Sequence, residues 1–311
     1  MKKKKTGIST SKFGDRAFNI FNGTFMTLLV IVTLYPFLNV LAVSFNDASD
    51  TMRGGIYIWP RIWTTFNYRS VFASGYIYHA FFISVSRTVI STVFNLFFTT
   101  MLAYALSRKE YVFRKPITIV FVMTMYFSAG LIPGYFLIKG LGLVNNFLVY
   151  IIPTLIGTFN LIVIRTFIKT LPDSMIEAAK IDGAGDFKIF MQIIFPLCKP
   201  VLAVVGLFVA VGAWNTWFDT FLYASSKQSL STLQYELMKI LATSMNQGST
   251  ANATAQAGGS AAAHTATASD TVTPQSIRAA ITVVAAVPIL LVYPFLQKYF
   301  VVGLNVGSVK E

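Results

Sequence analysis

Two short stretches concentrate the residues whose types and spacing bear on chemistry. The first, Trp214-Asn215-Thr216-Trp217-Phe218-Asp219, sets aromatic rings beside an amide, a hydroxyl and a carboxylate. Such rings stack on sugar faces while the polar groups bond hydroxyls. The same residues also compose an interfacial aromatic belt with one solvated carboxylate, and the sequence leaves both readings open. The second, LPDSMIEAAKIDGAGDFKIFMQIIFPLCKP from Leu171 to Pro200, has the polarity of a segment outside a membrane. Covalent, redox and metal chemistry find no comparable grouping. Cys198 is the single cysteine, which excludes an internal disulfide, and His79 and His264 are too few and too far apart in sequence to suggest a metal site. No G-x-x-x-x-G-K-[ST] phosphate loop, H-E-x-x-H motif or nucleophile elbow is present, so the chain has no P-loop for ATP and is not evidently an enzyme.

Within 171–200 the pattern predicts a helix-turn-helix. Asp173 or Ser174 can cap a first helix, and Ser174 with Glu177 has the S-x-x-E spacing in which each side chain satisfies an orphan amide. Gly183 can take the left-handed conformation that ends this helix. Phe187, Phe190, Met191 and Ile194 then recur as one apolar helical face, and Pro196 and Pro200 close the unit.

The elements that must position these stretches follow from composition. At 55% hydrophobic and 12% charged residues, with a mean hydropathy of +0.63, the chain reads as an integral membrane protein. A leader, 1–16, precedes an uncharged run over 17–45 that holds a first span, too long for a signal peptide and without a convincing cleavage site. Residues 46–79, with Trp59, Trp63, Tyr68, Tyr76 and Tyr78, suit a membrane interface. Further spans are expected near 82–106, with Arg87 snorkelling at its outer end, near 116–138, with a kink or unwound turn at Gly130, Pro133 and Gly134, and near 146–164. The last two lie near 201–218, where Gly206 and Ala210 would let a helix approach closely, and near 279–296. The stretch 242–274, nearly all small and polar, is expected to be disordered or loosely ordered, and a tail covers 299–311.

The whole is thus an all-α membrane protein with six transmembrane helices in a domain over 17–298. Seventeen of the 25 Lys and Arg residues fall in the leader, the 107–115 turn, the 165–200 segment and residues 297–311, against seven in the other loops. By sidedness both termini and the 171–200 unit are cytoplasmic. That distribution, without stacking platforms beside the basic residues, accounts for the net charge of +13 and argues against nucleic acid. None of the twelve acidic residues lies inside an expected span, so the carboxylate relay of many ion-coupled carriers is missing.

Glu177-Ala178-Ala179, three residues, Gly183, nine residues, Ile193, one residue and Phe195-Pro196 resemble the EAA loop of ABC-importer permeases, with Phe195 where the family usually has Leu. Asp182, Ala184 and Phe190 sit where sugar-importing members carry such residues. The tail from Phe295 through Gly303-Leu304 to Lys310 resembles that of the maltose-transporter-type permease, ending in Glu311 where a small residue is usual. The resemblance implies the type I importer permease fold in the plasma membrane of a prokaryote. It also implies that Glu177, Ala178, Ala179, Asp182, Gly183, Phe190 and Pro196 form the unit that couples to the ATPase. Trp214, Asn215, Trp217 and Asp219 are the candidate substrate path. Implied partners are a second permease in a heterodimer, two ATPase subunits, an extracellular solute-binding protein or lipoprotein, and membrane lipid. ATP and Mg would be bound by the ATPase subunits, and this chain would hold no cofactor or metal. The expected substrate is a sugar, most plainly an oligosaccharide. A peptide or polyamine importer, or an ATP-independent channel or ion-coupled carrier, are the alternatives.

Overall fold

The computed structural model describes residues 12–73, 75–256 and 272–308. All named elements among them are helices. Labelled here are α1 (Lys12–Ser44), α2 (Tyr76–Ser107), α3 (Arg114–Tyr126), α4 (Leu131–Gly140), α5 (Thr158–Ile168), α6 (Asp173–Ile181), α7 (Lys199–Asn215), α8 (Phe218–Tyr223), α9 (Leu233–Gln256) and α10 (Pro274–Ser308). The chain divides into two compact units, 1–71 with 244–283 and 72–243 with 284–311.

In the first unit α1 leads into a loop knotted around one buried amide. Asn46 donates to the Asp50 carboxylate at 3.0 Å and accepts from the Arg61 and Ile62 amides, and Arg61 pairs with Asp50 at 3.0 Å. Fixed by that knot, Trp59 and Trp63 meet edge to face at 5.3 Å.

The second unit is built on α2, packed against α5 and α7. Ala103, Leu106, Ile164, Ile168, Ile189, Phe190, Ile194 and Val205 lie together in its core. Gly206 lets α7 approach α2, since a Cβ there would stand 3.1 Å from Leu96 Cδ1.

Among the described residues three helices are long and apolar enough to cross a membrane, 18–44, 76–107 and 274–291, and two bent pairs bring the number to as many as five. The expected third span is broken: α3 and α4 are separated at Phe127–Gly130, where Gly130 has φ +89°, close to the anticipated unwound turn. The expected fourth span is not one helix. It runs through 3-10 turns at Phe147–Tyr150 and Ile152–Thr154 and bends 47° into α5. Pro153 lacks the amide that continuous helix needs at that point. Against the expectation of loose order over 242–274, the backbone continues the helix of α9 as far as Gln256. Residues 257–271, with His264, and Val309 to Glu311 of the tail lie outside the described residues.

Candidate functional site

The 171–200 unit folds as two arms around Gly183. The first arm, α6, starts two residues earlier than a capping box on Ser174 requires: Pro172 occupies the N-cap position, and no side chain caps the helix. Proline fixes the entering φ, so Ser174 is already helical and cannot cap. Asp173, the first helical residue, turns its carboxylate to Lys109 at 3.1 Å and Arg108 at 3.5 Å. Those hydrogen bonds and charges, Lys109 foremost, hold the Asp173 carboxyl below the usual carboxylate value. At the other end of α6, Lys180 pairs with Glu110 at 3.7 Å.

Gly183 closes α6 with φ +78°. Its amide donates to Lys180 O at 3.0 Å, and the Ala184 amide donates to Ala179 O at 2.9 Å. These paired bonds make a Schellman cap, which satisfies two carbonyls and needs a residue free of the Cβ penalty.

The second arm begins at Asp186 but is not a uniform helix. Residues Phe190–Ile194 form a π turn, in which the Phe195 amide bonds Phe190 O, before the 78° bend into α7. Pro196 supplies the reason, because in an α ladder its ring would strike the carbonyl four residues back, at Gln192. The wide turn also changes which residues face inward. Ile189, Phe190, Ile194 and Cys198 are buried, whereas Phe187 and Met191 from the expected face are exposed.

Of the residues expected to couple to an ATPase, Glu177, Ala178, Asp182 and Gly183 are exposed, and Pro196 is partly buried. Ala179 and Phe190 are buried, so they hold the unit and do not offer surface. Phe190 stacks on Tyr104 at 5.9 Å and meets Phe97 edge-on at 6.0 Å, fixing the loop to α2. Beside it opens a cleft of about 420 Å³ between the end of α2 and both arms.

The Trp214–Asp219 stretch is a helix break. α7 stops at Asn215, Thr216 is extended, and α8 starts at Phe218. Trp214 is buried and donates to Ala285 O at 3.1 Å, so it serves helix packing. Asn215 is exposed, and Trp217 packs on Phe218 and Phe221.

Asp219 is neither solvated nor free. It pairs with Arg87 at 2.6 Å, the two side chains being 21% and 4% exposed. Arg87 therefore does not snorkel. Its guanidinium also donates to Thr216 O at 3.1 Å and lies 4.7 Å over the Tyr150 ring, whose hydroxyl reaches Thr220 and Leu230 O. In a low-dielectric span a cation finds its stable place against a carboxylate and a π face, and the broken helix end provides both. The sequence does not disclose Arg87 as the partner of Asp219, nor Tyr150 as the ring beneath Arg87. A cation in one apolar segment and an acid at the end of another was the only available signal.

The same face of α2 repairs the bent segment. Asn95 donates to Thr154 O at 2.5 Å and Thr99 to Leu155 O at 3.3 Å, supplying the hydrogen bonds that interrupted helix forfeits inside a membrane.

No protein-family model matches the chain. Among curated proteins it is 35% identical to the polygalacturonan/rhamnogalacturonan transport system permease protein YtcP of Bacillus subtilis (strain 168), over 95% of this chain and 99% of that one. It is 27% identical to the arabinooligosaccharides transport system permease protein AraQ of the same organism, over 92% and 94%. Among solved structures, one chain of a bacterial ABC transporter involved in import of the acidic polysaccharide alginate superposes with a TM-score of 0.75 at 26% identity. That match covers 92% of this chain and 97% of the other.

Proposed function

The chain belongs to the permease subunits of ABC sugar importers, and from that membership we propose that it forms, with a second permease, the membrane path for an oligosaccharide. The observation that carries this is the 35% identity with a sugar-transport permease across nearly the whole of both chains. The solute arrives on an extracellular binding protein, and two ATPase subunits drive transport from the cytoplasmic side. Six spans with both termini in the cytoplasm of a prokaryote place the two-armed loop where those subunits can reach it. Its exposed face, Glu177, Ala178, Asp182 and Gly183, is the contact. Closure of the ATPase pair on ATP then moves the loop and turns the cavity outward. Asn215, Trp217 and Asp219 lie near the path, Asp219 acting through its grip on Arg87 and Trp214 through helix packing.

One relative named above is described for polygalacturonan and rhamnogalacturonan, one for arabinooligosaccharides, and the alginate transporter for an acidic polysaccharide. A chain of linked sugars is common to all three. The test is uptake in a strain deleted for this gene and complemented with it, using labelled galacturonate, rhamnogalacturonate and arabinan oligomers. Restored uptake of at least one oligomer, dependent on the binding protein, is expected. Uptake of none of them, or uptake that persists after the ATPase is removed, would overturn the reading.

A further inference from the structure

The turn that follows α2 is bound to α6 at both ends of that helix. Lys109 and Arg108 hold Asp173 at its start, and Glu110 holds Lys180 at its end. Arg108 in turn lies 5.4 Å over the ring of Tyr104, the residue on which Phe190 stacks. The turn and the coupling arms are therefore one fixed surface.

Four apolar side chains stand out from it. Val112 is 83% exposed and Phe113 62%, in the turn, while Ile181 is 86% exposed and Phe187 64%, in the arms. The cleft that Phe187 borders has an aromatic floor, Tyr104 and Phe190, and a rim carrying Arg108, Glu110, Lys180 and Asp186. An apolar floor inside a rim of both charges is the anatomy of a protein contact centred on a buried anchor. On that rim the carboxylates of Glu110 and Asp186 alternate with the cations Arg108 and Lys180, a mixed-charge pattern that fits a protein surface carrying both signs.

We infer that the ATPase subunit is held by a composite surface, the exposed face of α6 together with the Glu110–Phe113 turn, and that an apolar side chain of the ATPase enters the cleft between them. This rests on the assignment of α6 as the ATPase contact. It adds a second point of attachment, which fixes the angle of docking as well as its position. Two contacts joined by a rigid support resist rotation about the axis of α6, which a single short helix does not.

The test uses the intact transporter, purified from the membranes of its own host, with p-benzoylphenylalanine at Val112 in one preparation and at Glu177 in another. Ultraviolet adducts are identified by mass spectrometry. An ATPase adduct from both positions is expected. An ATPase adduct from Glu177, with only lipid, the partner permease or no adduct from Val112, overturns the composite surface and leaves the transporter assignment standing. Failure of both positions to reach the ATPase overturns both. A second measurement uses Val112→Asp/Phe113→Ser in the same complex. Binding-protein-stimulated ATP hydrolysis should fall by about tenfold, as loss of one anchoring contact implies, with insertion and permease pairing unchanged. Unchanged hydrolysis would overturn the role of the turn.

Discussion

Arg87 and Gly183 lie at opposite ends of what a sequence discloses about single residues. Gly183 needed only its neighbours: a short polar helix followed by a restart three residues later demands a left-handed residue. The observed φ of +78° with a Schellman cap is the result. A Cβ there would touch nothing within 4 Å, so any cost of substitution is conformational and not steric. Gly183→Val should therefore insert and pair normally, while about 1–3 kcal/mol of strain shifts the pose of α6. Stimulated ATP hydrolysis in reconstituted membranes is expected to drop by about tenfold, and Gly183→Asn, which tolerates positive φ better, should recover part of it. Wild-type hydrolysis in the valine variant would remove the turn from coupling. Arg87, by contrast, reads as an interfacial cation until Asp219 is seen beside it, 132 positions further along the chain. Removing one member of a buried pair strands the other, at a cost of about 3–5 kcal/mol, and the remaining 21% exposure of Asp219 places this case near the low end. Arg87→Met should lower the melting temperature of the purified complex, and Arg87→Met/Asp219→Leu should restore most of it. A double variant no more stable than the single one would mean that the charge pair is not what holds α2 to α8.

Elements were readable where hydrophobicity is continuous and obscure where it is interrupted by design. The long apolar run of α2 is placed to within a few residues at its C-terminal end, and Gly206 is recognised as a close approach because small residues leave a plain mark. The bent segment ahead of α5 was not readable. Its apolar content satisfies a span, and the groups that make its break tolerable, Asn95 and Thr99, belong to another helix. Likewise a 3.6-residue period drawn through Phe187 and Met191 fails because Pro196 forces a π turn, which only the backbone ladder reveals. Asn95→Leu, close in size, leaves Thr154 O without its donor and should cost about 1–2 kcal/mol. Hydrogen exchange at residues 155–158 should accelerate in that variant while α2 itself keeps its protection. Uniform acceleration along α2 would point instead to a packing defect.

At the scale of the whole molecule, helix content and the membrane class followed from composition, while the connection between distant ends did not. Sidedness is testable directly, with Lys188→Cys and Lys227→Cys each made in a Cys198→Ala background. Both positions are exposed. A membrane-impermeant thiol reagent applied to intact cells should label Lys227→Cys and spare Lys188→Cys, and labelling of both from outside would break the orientation. α2 joins two of the contacts described above. Its C-terminal end is strapped to the 171–200 unit through Phe190 and the ion-paired turn, and its N-terminal half holds Arg87 against the broken helix end. From Arg87 to Ser107 the helix is uninterrupted, a strut of about 30 Å at 1.5 Å per residue. The two-armed unit and the Arg87–Asp219 pair thus hang on one rod, and a load placed on either is borne by the other.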